Sequence, residues 1–302
     1  MPTKIEWCTE TWNPATGCTK VSGGCQNCYA ERMSKRLAGR YGYPANEPFR
    51  VTLHPDRLEQ PLRWRKPRTI FVPSMGDLFH KDVPFEFISK VFTTMKACQA
   101  RGLGHTFLLL TKRPGRMLEY WRWWRALCAS DEVALKYHDH IWLGVTAENQ
   151  AMADERIPLL LSTPAAVRFV SCEPLLGAID LFRAVYGEPS TYLLSTGAYG
   201  WPDYCNIKTT NMTYPNSAGI DWIIAGGESG PGARPMRPGW ARGLRDQCQA
   251  AGTKFFFKAW GAHSWPGDDR RGNAGPPVRV GKKAAGRLLD GREWNEYPGA
   301  TL

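Results

Sequence analysis

Three cysteines in one short segment are the residues whose types and spacing most clearly predict chemistry. Cys18, Cys25 and Cys28 stand in the run GCTKVSGGCQNCYAERMSKRLA, with the spacing C-x6-C-x2-C. An extended chain would separate Cys18 from Cys25 by about 24 Å, so the loop must turn back on itself, and we expect Gly23 and Gly24 to make that turn. Helix-forming residues after Cys28 place its thiol near a helix N-terminus, which favours the thiolate. We therefore predict a metal centre on these three side chains.

The number of ligands indicates which metal centre to expect. Structural zinc normally has four protein ligands, whereas three cysteines leave one position open, and the chain has no second C-x2-C pair. An iron–sulfur cluster held by three thiolates keeps one iron for S-adenosylmethionine, which is a route to radical chemistry. We favour a 4Fe-4S cluster for this reason. The alternative is a zinc site completed by Cys8, His54 or His80.

The elements that must position these residues follow an α/β pattern. The apolar segments typical of strands are Arg68–Val72, Thr106–Leu110, Ile141–Val145, Val167–Val170, Trp222–Ala225 and Lys254–Phe257, with a further strand expected near Lys4–Cys8. Helices are predicted at Phe85–Ala100, Arg116–Leu127, Ala151–Leu161 and Trp240–Ala250. Continuous rather than alternating apolar residues indicate strands buried on both faces, as in a parallel sheet. We predict a full or partial TIM-type (β/α) barrel with parallel strands, and a doubly wound sheet is the alternative.

Length and composition favour one globular domain over residues 1–302, with a cluster loop at 17–30. Residues 186–219, rich in Gly, Pro, Ser, Asn and Tyr, are interpreted as an insertion, and residues 262–302 as a basic loop and C-terminal segment. The sequence has no apolar stretch of 18 residues and no secretory signal pattern. Nine cysteines, three of them clustered, suit a reducing compartment, so we expect a cytoplasmic protein with no membrane contact.

The positive charge is concentrated in two blocks. The net charge is +11; residues 31–68 hold ten Lys/Arg against four Asp/Glu, and residues 270–292 hold seven against one. Concentrated positive charge suits a polyanion, of which nucleic acid is the most common. We therefore expect a nucleic acid or nucleotide as substrate, and a solvated basic surface is the alternative.

Polar residues follow the predicted strands at the ends where α/β enzymes bind ligands. They are Lys112, Arg113, Thr146, Glu148, Glu173, Glu228, Ser229 and Lys258. Thr146 and Glu148 are candidates for holding ribose hydroxyls, and Glu173, Glu228 and Ser229 are similar candidates for cofactor binding. Lys258 is a further catalytic candidate. The cations would neutralise a carboxylate or phosphate of a ligand, or else pair with these acids.

Longer runs resemble a known family. TWNPATGCTKVSGGCQNCYAERMSKRLA and LLDGREWNEYP, with FVPSMGDLFH, WLGVTAEN, SCEPLLG and IIAGGESGPGARPM between them, are similar to the phage-associated three-cysteine-motif family, which itself resembles the radical S-adenosylmethionine superfamily. The resemblance implies a radical-SAM-like barrel, a 4Fe-4S cluster on the three cysteines, and S-adenosylmethionine. It also implies that the Gly76-Asp77 turn contacts the methionine amino group, although a plain strand-to-helix turn with Asp77 as N-cap is equally consistent.

These observations favour a radical S-adenosylmethionine enzyme that modifies or repairs a nucleic-acid base or nucleotide. A 5′-deoxyadenosyl radical would start a rearrangement, lyase or group-insertion step, an external electron donor would be needed, and phage-type DNA is the favoured substrate by resemblance. The first alternative is a zinc-bound nucleic-acid-binding protein without catalysis. The second is a radical enzyme acting on a peptide or small metabolite.

Overall fold

The computed structural model describes residues 3, 5–127, 139–186, 219–268 and 275–299. We expected one domain over residues 1–302; the chain divides into two compact units. The N-terminal unit comprises residues 1–145 and 162–167, and the C-terminal unit comprises residues 146–161 and 168–302. The predicted insertion at 186–219 lies outside the described residues except at its two ends, as do residues 269–274 of the predicted basic loop.

The N-terminal unit is built on parallel strands with helices between them. The sheet strands are β1 (Glu10–Thr11), β4 (Thr69–Val72), β5 (Thr106–Thr111) and β6 (Ile141–Thr146). A short antiparallel pair, β2 (Ala15–Thr16) and β3 (Thr52–Leu53), lies outside this sheet. The helices are α1 (Tyr29–Arg36), α2 (Phe85–Ala100) and α3 (Pro114–Leu127), with 3-10 helices at Gly23–Cys25, Pro55–Arg57 and Gln60–Arg63.

The strands of this unit form where β-propensity and burial coincide. Ile70 of β4 pairs with Phe107 of β5, and both side chains are fully buried, as continuous apolar runs in a parallel sheet should be. The strand expected near Lys4–Cys8 is wrong: Ile5–Cys8 form a turn, closed by a hydrogen bond from the Cys8 N–H to the Ile5 carbonyl, and the first strand is β1. Trp7 and Cys8 are buried from this turn rather than from a strand.

The C-terminal unit repeats the same pattern. Its sheet strands are β7 (Val167–Cys172), β8 (Trp222–Gly226) and β9 (Lys254–Ala259), with helices α4 (Gln150–Leu161), α5 (Leu181–Tyr186) and α6 (Pro238–Ala251). A small antiparallel pair, β10 (His263–Ser264) with β11 (Val278–Arg279), and a short helix α7 (Lys282–Ala285) follow. Every residue of β8 is buried, so this strand has no solvent-facing side.

Within each unit the sheet strands follow one another in chain order, β1-β4-β5-β6 in the N-terminal unit and β7-β8-β9 in the C-terminal unit, and all of these neighbours pair in parallel. The predicted α/β class with parallel strands is therefore confirmed, and the TIM-type barrel stays a prediction. Apart from the first strand, the predicted strands and helices match the observed ones within two residues at most ends. Among the described residues, no helix is both long and apolar enough to cross a membrane.

Candidate functional site

The chain enters the cysteine loop along the segment that follows β4. Gly17 forms a parallel bridge with Gly76, and its N–H donates to the Met75 carbonyl at 2.9 Å. A Cβ on Gly76 would lie 2.9 Å from the Gly17 carbonyl oxygen, which is closer than real Cβ contacts come. Gly17 itself has φ +84°, a conformation that favours glycine. These glycines allow the two backbone segments to approach closely. Cys18 and Asp77, the residues that follow Gly17 and Gly76, therefore lie near each other.

The loop then reverses through a 3-10 helix. Gly23 opens this helix, and the Cys25 N–H donates to the Ser22 carbonyl at 3.0 Å. Gly23 takes part in the expected turn without a left-handed conformation, since its φ is not positive and a Cβ there would meet nothing within 4 Å. Cys28 is the N-cap of α1, so its thiol lies at a helix N-terminus as predicted.

Cys18, Cys25 and Cys28 are free, half-buried thiols in different electrostatic surroundings. Burial, with the charge of Asp77 as the second cause, raises the pKa of Cys18 to about 11, against the opposing effect of Arg113. Burial also opposes ionisation of Cys25, but hydrogen bonds with the backbone of Val21 and Ser22 and the charge of Lys112 lower its pKa below the ordinary value. Lowered pKa values are typical of thiols that bind metals or react.

Asp77 is the centre of a hydrogen-bond network next to Cys18. It is buried, and its carboxylate accepts from the Phe79 N–H at 3.0 Å, the Thr111 hydroxyl at 2.7 Å, the Lys112 N–H at 3.1 Å and Arg113 Nη1 at 3.0 Å. A carboxylate has about four acceptor positions, and these four donors occupy them. Asp77 therefore anchors the segments after β4 and β5, which is closer to the predicted turn role than to a contact with a cofactor.

The residues proposed to complete a zinc site have other partners. His54 Nε2 lies 2.8 Å from the Thr16 hydroxyl, and His80 Nε2 lies 2.9 Å from the Thr19 hydroxyl. His80 Nδ1 accepts from the Asp82 N–H at 3.2 Å, and Cys8 is buried. Across the described ranges, no three His, Cys, Asp or Glu side chains are grouped closely enough to hold a metal ion.

The three cysteines nevertheless fit an iron–sulfur cluster in their chemistry. They are free thiols on one loop, Cys28 lies at a helix N-terminus, and Cys25 is close enough to Cys18 to affect its pKa. Thiolates are the ligands such clusters use.

In the C-terminal unit, the predicted strand-end carboxylates each have a cation of their own. Glu148 is fully buried and forms an ion pair with Arg156, Nη1 to Oε2 3.1 Å, while the same Nη1 donates to the Thr146 carbonyl at 2.8 Å. Glu173 pairs with Lys258 at 3.0 Å. The predicted alternative, in which cations pair with acids of the same fold, is therefore observed for Lys258 here and for Arg113 in the N-terminal unit.

The Gly-Gly-Glu-Ser turn after β8 is shaped by tight packing. Glu228 accepts from Arg234 through the backbone N–H at 2.8 Å, Nε at 2.9 Å and Nη2 at 2.8 Å. A Cβ on Gly227 would lie 2.0 Å from the Trp260 carbonyl oxygen, so only glycine fits there. Ser229 is exposed. The contacts predicted between these residues and S-adenosylmethionine stay predictions.

Sequence reasoning missed three of the contacts that organise these sites. Thr19 accepts two hydrogen bonds from Arg113, at its carbonyl and at its hydroxyl. Arg156 and Arg234 hold Glu148 and Glu228. The acid and the base of these two ion pairs are eight and six residues apart, which does not match the three- or four-residue spacing of ion pairs on a helix. Thr19 could have been found, because it directly follows Cys18 and so must lie near the predicted metal centre.

Comparison with known proteins gives a family and no activity. A family profile described as "Protein of unknown function (DUF5131)" matches residues 2–298. No curated protein matches the chain, and no solved structure matches it. Since the profile covers almost the whole chain, the protein belongs to the DUF5131 family of proteins of unknown function.

Proposed function

We propose that this protein is a radical S-adenosylmethionine enzyme with a radical-SAM-like partial barrel and a 4Fe-4S cluster on Cys18, Cys25 and Cys28. The observation that carries the proposal is the group of three free, half-buried thiols on one loop that ends at a helix N-terminus. Three thiolates leave one iron of such a cluster open. We place the protein in the reducing cytoplasm, where unpaired cysteines persist.

The side chains of the N-terminal unit support this role. The lowered pKa of Cys25 favours the thiolate that an iron ligand must be. Cys28 is the N-cap of α1, so the ligand loop ends at a helix N-terminus. A cluster held by Cys18, Cys25 and Cys28 would supply the electron that cleaves S-adenosylmethionine to methionine and a 5′-deoxyadenosyl radical, and an external electron donor would restore that electron. The ion pair of Asp77 with Arg113, and the hydrogen bond from Arg113 to the Cys18 sulfur, would keep Cys18 in position during this chemistry.

We propose a nucleic-acid base or nucleotide as substrate, with phage-type DNA favoured. Exposed cations lie on and after the helix that follows the cysteines: Lys35, Arg36, Arg40 and Arg50. Tyr29, directly after Cys28, is 60% exposed, and Tyr41 is 75% exposed. Exposed aromatic rings among cations suit base stacking combined with phosphate contacts. A base inside a duplex would have to be flipped out to be reached.

Metal analysis of protein purified without oxygen tests the proposal. Iron, sulfide and zinc are measured, and the visible spectrum is recorded with and without S-adenosylmethionine. We expect a brown protein with about four irons and four sulfides per chain, and a Cys18→Ser variant without them. Cys98→Ala is the matched control, because Cys98 is buried in α2 away from the loop, and it should keep the iron.

Two outcomes would contradict the proposal. One zinc per chain with no iron would show a zinc-binding protein, and Cys8→Ala would then test whether Cys8 is the fourth ligand. A protein that binds no metal after anaerobic reconstitution with iron and sulfide would exclude both metal centres.

A further inference from the structure

Arg113 connects the cysteine loop to the anchored carboxylate. It lies between the end of β5 and the start of α3, and its side chain is 13% exposed. Nη1 donates to Asp77 Oδ2 at 3.0 Å and to Cys18 Sγ at 3.2 Å. Nη2 donates to the Thr19 carbonyl at 2.8 Å and to the Thr19 hydroxyl at 2.9 Å. One guanidinium therefore contacts the carboxylate, the thiol and the residue after the thiol.

The guanidinium is held in place from the β5 side. Asp77, its acid partner, is fixed by the Thr111 hydroxyl and by two backbone N–H groups. The Arg113 N–H donates to the Thr111 hydroxyl at 2.9 Å, which orients the backbone from which the side chain extends. A rigid planar fork oriented in this way presents its donors in fixed directions, which a lysine cannot reproduce.

A simple salt bridge does not account for this arrangement. Neutralising Asp77 requires a single contact, yet within the described part of the chain three of the four hydrogen bonds that the Arg113 guanidinium donates go to Cys18 and Thr19. A sulfur that binds iron is a thiolate, and a hydrogen bond from a charged donor to a thiolate is stronger than one to a neutral thiol. Groups that bond to metal ligands orient them and tune the metal.

We propose that Arg113 is a positioning residue for the cluster: it fixes Cys18 as an iron ligand and stabilises the negative charge on its sulfur. This inference rests on the proposed function. A reduced cluster carries one more negative charge than an oxidised one, so a cation bonded to a ligand sulfur favours reduction. Arg113 therefore raises the reduction potential of the cluster and slows the loss of iron.

The test compares three variants with the wild-type protein, all reconstituted without oxygen. Arg113→Gln removes the charge, Arg113→Lys keeps the charge without the fork, and Arg122→Gln is the matched control, an exposed arginine on the same helix. The midpoint potential is measured by a redox titration followed by electron paramagnetic resonance, and iron retention by timed exposure to a chelator. Circular dichroism of each variant checks that it is folded.

We expect Arg113→Gln to have a lower midpoint potential and to lose iron about tenfold faster or more, with Arg113→Lys between it and the wild type. Arg122→Gln should match the wild type. A potential and an iron-loss rate in Arg113→Gln equal to those of the wild type would overturn the inference while leaving the cluster intact. If Arg113→Gln does not fold, an Arg113→Lys protein identical to the wild type in both measurements overturns it instead. A wild-type protein that binds no cluster refutes the proposed function, and the inference with it.

Discussion

The two compact units differ in the hydrogen-bond and ion-pair partners of the polar side chains at their strand ends. In the C-terminal unit each predicted carboxylate is neutralised by a nearby cation, as Glu148 is by Arg156 and Glu228 by Arg234. In the N-terminal unit the carboxylate Asp77 is also paired, but its partner Arg113 contacts a thiol as well. In the cysteine loop, therefore, the cation Arg113 also donates a hydrogen bond to a potential metal ligand, the Cys18 thiol. In the C-terminal unit, Arg156 and Arg234 pair with carboxylates of the same unit.

This difference separates a binding role from a structural one. A buried acid that is paired with a buried base contributes to the local fold, and removing either partner is costly because the other charge is left behind. Among the half-buried thiols of the cysteine loop, Cys25 has a lowered pKa, which is typical of thiols that bind metals or react. We therefore propose that the chemistry of the molecule lies in the N-terminal unit, and we expect substitutions in the two units to have different consequences.

The largest expected effect is the loss of the cluster, which only substitutions in the N-terminal unit should cause. Serine at Cys18, Cys25 or Cys28 should remove most of the bound iron, whereas Glu173→Gln should leave the iron content unchanged, because Glu173 is paired with Lys258 in the other unit. Iron and sulfide analysis after anaerobic reconstitution measures both. The comparison fails if Glu173→Gln loses as much iron as the cysteine variants.

The second effect concerns stability in the C-terminal unit. Glu148→Gln leaves Arg156, which is 1% exposed, without its ionised partner, so the free energy of unfolding should fall by about 3–5 kcal/mol. Urea unfolding followed by fluorescence measures the change. The double variant Glu148→Leu/Arg156→Met is the control and should recover much of the loss, since it buries no charge. A loss below about 1 kcal/mol in the single variant would contradict a structural role for this pair.

Acid should destabilise the two units over different pH ranges. Burial, with the charge of Arg57 as the second cause, lowers the pKa of His54 in the N-terminal unit to about 4. An unfolded histidine has a pKa of about 6.5, so between pH 6.5 and 4 the unfolded chain binds a proton that the folded chain does not. The stability that neutral His54 contributes is therefore complete above pH 6.5 and is lost as the pH falls, by about 3 kcal/mol.

In the C-terminal unit, the loss of stability is expected at lower pH. Although burial opposes it, hydrogen bonds from Arg242 and Arg245 lower the pKa of Asp290 below its ordinary value of 3.8, so its contribution is lost only as the pH falls below about that value. Urea unfolding at pH 7, 5.5 and 4.5 should show a decline that His54→Asn reduces and Arg242→Gln leaves unchanged. An unchanged decline in His54→Asn would contradict the assignment.

The smallest effect expected is on nucleic-acid binding. Replacing Lys35, Arg36 and Arg40 by glutamine should weaken binding of single-stranded DNA and reduce the slope of log K against log salt concentration by about 2, because each phosphate contact contributes about 0.7. Fluorescence anisotropy at several salt concentrations measures both. Three exposed cations elsewhere in the N-terminal unit, Lys81, Lys90 and Arg101, give the matched control, and an equal loss in both triple variants would contradict a local interface.

The sequence predicted the fold better than the contacts of the site. Continuous apolar runs such as Thr106–Leu110 were located almost to the residue, because a strand buried on both faces has an unambiguous pattern. The first strand was misplaced, since β1 has only two residues and no apolar run. The turn at Gly23 was predicted from the need for a reversal, but a 3-10 helix achieves the reversal with ordinary backbone angles.

The site contacts were harder to predict because they join residues distant in the sequence. Cys18 and Arg113 are 95 residues apart, and only the parallel arrangement of the segments after β4 and β5 brings them together. Lys112 and Arg113 were recognised as cations at a strand end, which was enough to predict a carboxylate partner but not a thiol. Conversely, Glu148 was predicted to bind a ligand, and its pairing with Arg156 depends on the turn into α4, which residue spacing does not show.

The central claim is that the cysteine loop holds a cluster with one open iron, and the most direct test is the electron paramagnetic resonance spectrum of the reduced protein before and after adding S-adenosylmethionine. We predict a 4Fe-4S signal that changes when S-adenosylmethionine binds, and no signal in a Cys18→Ser variant. A colourless protein with zinc in place of iron, or a cluster signal that S-adenosylmethionine leaves unchanged, would contradict it.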